Sequence, residues 1–232
     1  MSNILPLRKR LEAVGKQTSI RLGVMEQDYL LSWVLAGIYQ HPLLKNSLVF
    51  KGGTALKKCY FGEYRFSEDI DFTATAAAPA GSKLLSAVIE ACEYAQKRMN
   101  EYAPVTIKTE RYLEKYPHPH GQEAFAVYGQ FPWQREPLSK VMIEVTRDEC
   151  LLIGPKSKPI LHEYGEPINQ EITVYALEEI ILEKLRAILQ HTEKLHERDS
   201  TRSRARDYYD LWRILGTFGD QLNLKLVRVL LP

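Results

Sequence analysis

Cysteine is scarce in this sequence. Cys59, Cys92 and Cys150 stand far apart, with no Cys-x-x-Cys spacing, which argues against a disulfide framework or a zinc site and fits a reducing compartment. Long apolar runs are missing as well. No stretch of 18 apolar residues occurs, so no membrane span is predicted. Arg8, Lys9 and Arg10 are not followed by the apolar stretch and small-residue cleavage site of a secretory leader. A cytoplasmic protein with no membrane partner is therefore expected. The third absence is an excess of one charge: 31 Lys and Arg against 29 Asp and Glu leave a net charge of +2. No global basic field advertises nucleic acid, and only local clusters could do so.

What is present is an ordinary globular composition, 45% apolar and 26% charged, over 232 residues, enough for one large domain or two small ones. The chemistry concentrates between Ser47 and Thr73, SLVFKGGTALKKCYFGEYRFSEDIDFT. Leu48-Val49-Phe50 reads as a buried strand, Lys51-Gly52-Gly53-Thr54 as a turn, and Ala55 to Tyr60 as a helix. Adjacent glycines between strand and helix permit positive φ and close backbone approach. The free N–H groups of a helix start suit phosphate. A second strand over Asp69 to Thr73 places Asp69 and Asp71 on one face and Ile70 and Phe72 in the core. Paired carboxylates are costly unless a cation lies between them, and Mg²⁺ is the usual one beside phosphates.

A glycine turn and an Asp-x-Asp in one strand-helix-strand unit resemble the polymerase-β-type nucleotidyltransferase superfamily. The fuller string KGGTAL…RFSEDIDF is similar to the AbiEii/AbiGii toxins, nucleotidyltransferase-like proteins of bacterial toxin–antitoxin and abortive-infection systems. Two departures stand out: Thr54 occupies a position where many members carry serine, and fourteen residues separate Thr54 from Asp69, more than the family's usual spacing. The resemblance implies an α/β (α+β) fold: a small mixed sheet with flanking helices over residues 1–174, then a helical domain over 175–232 that completes the active-site cleft.

Along the rest of the chain, helices are predicted over 4–15, 25–40, 82–101, 177–195 and from Arg204 or Ala205 to Leu215. Gly15 to Gly23 reads as a loop, and strands are predicted over 105–112, 124–131, 140–147 and 172–175. Residues 148–170 read as loop. His118 and His120, flanked by prolines, read as solvated rather than metal-binding. In the 140–147 strand Val141, Ile143 and Val145 share one face, and Glu144 lies on the other. Superfamily members draw a third metal carboxylate from such a strand, and Glu144 is its expected source. In the helix from Leu177, Lys184 falls among Ile180, Ile181 and Ile188, so it must snorkel or meet an anion. Asp207 points inward and is expected to pair with Lys184; Asp210 lies at the edge of the same face. Glu179, Glu183, Arg186 and Gln190 are expected on the solvated side.

The resemblance implies transfer of a nucleoside monophosphate from an NTP. Ser67, Asp69, Asp71, Lys184 and Asp207 would be catalytic, Asp69, Asp71 and Glu144 would hold Mg²⁺, and Lys51, Gly52, Gly53, Thr54, Arg65 and Arg206 would bind nucleotide. RNA, in particular tRNA, is the expected acceptor and a cognate antitoxin the expected protein partner. Arg198, Arg202, Arg204 and Arg206, extended by Lys57, Lys58 and Arg65, are the candidate RNA-facing surface. A kinase acting on RNA or protein, or a non-catalytic nucleotide-binding module, is the alternative.

Overall fold

A computed structural model describes residues 4–113, 121–197 and 203–231. The chain divides into two compact units, the first comprising Met1–Glu149 and Ser157–Val174, the second Cys150–Lys156 and Tyr175–Pro232.

The first unit is built on a mixed sheet ordered β3-β4-β5-β2-β1-β7-β6. Its strands are β1 (Leu48–Lys51), β2 (Asp69–Ala74), β3 (Thr106–Tyr112), β4 (Glu123–Gln130), β5 (Ser139–Thr146), β6 (Lys156–Pro159) and β7 (Glu171–Val174). Neighbours β1 and β2 run antiparallel, whereas β2–β5 and β1–β7 are parallel. Antiparallel hydrogen bonding then extends from β5 through β4 to β3. The mixed α/β architecture expected from the sequence is therefore the observed one. Phe50 and Phe72 pair across β1 and β2, are fully buried, and meet at a 44° tilt with centroids 5.7 Å apart. Each stabilises the unit by about 2 kcal/mol through apolar area removed from water.

Three longer helices flank the sheet: α1 (Leu7–Thr18), α2 (Leu22–Gln40) and α4 (Gly81–Met99). From Met25 to Tyr39 only Gln27 of α2 is not buried, the pattern of a helix packed on nearly every side. Gly37 allows α2 to lie against α4, since a Cβ there would collide with the Ala91 carbonyl. The first helix overruns Gly15 and ends at Thr18, where Ser19 turns left-handed and Ile20 N–H donates to the Gly15 carbonyl at 2.9 Å. The predicted Gly15–Gly23 loop thus shrinks to a tight turn. After β1 the chain forms α3 (Gly52–Ala55), which continues through a π-helical turn, Leu56–Tyr60.

The second unit contains α5 (Leu177–Glu197), α6 (Ala205–Phe218) and α7 (Leu224–Leu230). Both ends of α7 are held within the unit. Asn223 accepts Leu226 N–H at 3.1 Å and donates its own N–H to Glu178, while Arg186 reaches the Leu230 carbonyl at 3.2 Å. Among the described residues no helix is long and apolar enough to cross a membrane.

Candidate active site

The register of the central strands decides what faces what. Asp71 pairs with Lys51 on one side and with Glu144 on the other, and Asp69 pairs with Met142. Side chains paired across a sheet share a face, so Lys51, Asp69, Asp71 and Glu144 look the same way while Ile70 and Phe72 fill the core. The glycine turn closes on this face. Gly52 has φ +79°, and a Cβ on it would lie 2.5 Å from Asp71 Oδ2. A side chain at Gly53 would collide with the Arg65 guanidinium. Lys51, Gly52, Gly53, Arg65, Asp69, Asp71 and Glu144 are thus brought together.

Thr54 has a different job from the one expected of its hydroxyl. It is buried, and Oγ1 donates to the Asp69 carbonyl at 2.6 Å, so the hydroxyl ties the turn to the start of β2. Ser67 precedes β2 and, with Tyr64, Arg65, Phe66 and Glu68, lines a cavity of about 650 Å³ that is also lined by Gln17, Thr18, Ile20, Val24 and Gln27.

Glu149 was not anticipated. Its carboxylate forms an ion pair with the buried Lys51 ammonium and accepts the Thr73 hydroxyl at 2.6 Å. Lys51 and Thr73 both lie on the carboxylate face by register. The sequence offered no periodic signal for Glu149, which follows the end of β5.

Three carboxylates on adjacent strand positions form an all-oxygen donor set, and Gly52 leaves open the space beside Asp71 that a Cβ would fill. Among the described residues no three His, Cys, Asp or Glu side chains close on a single point. Mg²⁺ binds through one or two carboxylates, with water and substrate phosphates completing the octahedron, and the Asp69/Asp71/Glu144 face fits that requirement.

In the second unit Lys184 is buried and does not snorkel. Its ammonium lies 3.2 Å from Asp207 and 2.6 Å from Asp210. The pairing expected with Asp207 is present, and Asp210, expected at the edge of that face, is fully buried and the closer of the two. Asp207 also meets Arg204 at 3.4 Å. Arg206 is exposed in the first turn of α6. Glu179, expected in solvent, is buried and accepts Ile153 N–H at 2.7 Å. Arg198, Arg202, His118 and His120 lie outside the described residues.

The proposed RNA-facing role of Lys57 and Lys58 is overturned by burial. Lys58 lies inside the first unit, bound to Asp28 at 2.7 Å and Ser32 at 2.8 Å. Lys57 sits 4.1 Å from the Phe66 ring centroid and reaches the Gly62 carbonyl. Burial would raise the Asp28 pKa, but the Lys58 and Lys57 charges outweigh it and hold the carboxyl below its usual range. Burial lowers Lys58, and Asp28 opposes that shift. The same buried network holds Tyr164, bonded to Asp28 at 2.8 Å, and Glu166, which accepts from Tyr29 and Arg10. His162 is enclosed there by Tyr29, Trp33 and Tyr164, and burial pulls its pKa down to about 3.

A family model described as nucleotidyl transferase AbiEii toxin, type IV TA system, matches residues 33–231. No curated protein matches the chain.

Proposed function

The chain belongs to the AbiEii family of nucleotidyl transferase toxins of type IV toxin–antitoxin systems, and from that premise we propose that it transfers a nucleoside monophosphate from an NTP to RNA, tRNA foremost, in the cytoplasm. Membership implies an antitoxin partner. One observation carries the reading: Asp71 lies beside Glu144 in the sheet, and Gly52 is wound back onto Asp71 at positive φ. A sheet face that serves only packing has no need of this combination.

In this reading Asp69, Asp71 and Glu144 would hold Mg²⁺, which would supply charge neutralisation to the phosphates and acidify the acceptor hydroxyl. Gly52 and Gly53 present backbone N–H groups to the triphosphate, with Thr54 pinning their turn to β2. Arg65, beside Gly53, supplies charge to the phosphates, and Lys51 stands next to Asp71. Ser67 leads into β2 and approaches the phosphates from that end. Within the second unit Lys184 is assigned as a phosphate-binding cation, oriented by Asp207 and Asp210, and Arg206 as a nucleotide contact. Such chemistry rests on positioning and charge neutralisation, which suits cations already held in fixed ion pairs.

The test is incubation with Mg²⁺, total cellular RNA and each NTP labelled at the α-phosphate, then at the γ-phosphate. Label from the α-position in RNA is the expected result. Transfer of γ-label alone would make the protein a kinase, and no transfer of either label would remove RNA as the acceptor.

A further inference from the structure

The carboxylates do not end the face on which they lie. Following the register outward, Glu144 pairs with Ala124 and Ala124 with Tyr112. The row therefore reads Lys51, Asp71, Glu144, Ala124, Tyr112 across five strands. The next row holds Asp69, Met142, Ala126 and Glu110, and the one after it Lys140, Tyr128 and Lys108. Two small residues, Ala124 and Ala126, both buried beneath their neighbours, thus separate the acidic centre from a border of tyrosines and lysines. With strands spaced about 4.8 Å apart, Tyr112 stands about 10 Å from Glu144 along its row.

The border opens at Tyr112, while Tyr128 and Lys140 are half-buried. Tyr112 is 44% exposed although it is a large ring on a strand. The Lys140 ammonium lies 5.2 Å from the Tyr112 ring centroid and 5.7 Å from that of Tyr128. The Glu110 carboxylate is engaged by Lys108 at 2.9 Å. Stacking surfaces interleaved with ammonium groups match a chain of planar bases joined by phosphates. An acidic peptide would find the lysines but have no use for two aromatic rings.

We infer that this face of β3, β4 and β5 is the docking surface for the acceptor, the single-stranded end of an RNA. Its bases stack on Tyr112 and Tyr128, its phosphates meet Lys140 and Lys108, and its reacting hydroxyl points to Asp71 and Glu144. The inference rests on the nucleotidyl-transfer reading, yet binding tests it separately from catalysis.

The experiment uses the full chain carrying Asp71→Asn, so that nothing turns over, and a fluorescein-labelled single-stranded RNA followed by anisotropy. Adding Tyr112→Ala with Tyr128→Ala is expected to raise Kd at least tenfold, and Lys140→Ala to raise it several-fold with a shallower salt dependence. Urea midpoints like the parent's would show that these substitutions leave the fold intact. Unchanged Kd in the tyrosine variant, no RNA binding by the parent, or competition by an acidic peptide but not by unlabelled RNA would each overturn the surface. Label transfer to RNA by the chain without Asp71→Asn, unaffected by the tyrosine substitutions, would overturn the surface and leave the reading standing. RNA binding lost with the tyrosines in a protein that transfers no label would do the reverse.

Discussion

Replacing Gly52 by alanine probes the turn and the carboxylate face together. At φ +79° an L-residue costs about 1–2 kcal/mol relative to glycine. The new Cβ would also lie 2.5 Å from Asp71 Oδ2, where ordinary contact begins at 3.4 Å. Either the carboxylate or the turn must therefore move by roughly 0.9 Å, and a displacement of that order at a reacting centre costs about a hundredfold in rate. The expected outcome is a urea midpoint lowered by an amount equivalent to about 1–2 kcal/mol, with label transfer reduced about a hundredfold. Gly154→Ala is the control, because its Cβ meets nothing within 4 Å, and it should leave both readouts near those of the parent. A Gly52→Ala protein that keeps parental stability and transfer would refute the argument that Asp71 needs the space beside it.

Other outcomes follow from buried groups. Lys58→Met removes one partner of a buried ion pair and should cost about 3–5 kcal/mol in urea unfolding, with part recovered on adding Asp28→Asn; a cost under 1 kcal/mol would return Lys58 to the surface. His162 has a folded pKa of about 3 against about 6.5 when unfolded, so the unfolded chain takes up the proton first. Its contribution is fully present above about pH 6.5 and is lost as pH falls towards 3, by about 2 kcal/mol between pH 8 and pH 5. Urea midpoints across that range should show this loss, and His162→Phe should remove it. Burial pushes the Cys59 and Cys92 thiols upward, whereas Cys150 is exposed; a thiol reagent should modify Cys150 alone in the native protein and all three cysteines in urea.

The sheet was legible because alternation is a local signal. Strands β3, β4 and β5 begin and end within one residue of their predicted bounds. The strand β6 escaped, since Lys-Ser-Lys-Pro has neither alternation nor apolar residues to announce it. Phase on a helix located Lys184 and Asp207 but misplaced Glu179, because an acidic side chain reads as solvated unless its acceptor role is known. That role depends on the Ile153 amide, 26 residues away. Lys58 failed for the same reason: the sequence shows a lysine pair, and its buried partner Asp28 lies 30 residues earlier. Glu149 belongs with these, 98 residues from the Lys51 it holds. Periodicity reports which face a residue occupies; the partner waiting there is a property of the fold.

The central claim is that the Asp69/Asp71/Glu144 face performs nucleotidyl transfer. It is tested most directly by comparing the parent with Asp71→Asn, an isosteric change that removes one negative charge, in Mg²⁺ with α-labelled NTP and RNA. Label should enter RNA with the parent and fall by at least a hundredfold with Asp71→Asn, while the urea midpoint stays close to the parent's. Transfer by Asp71→Asn at the parental rate would contradict the account.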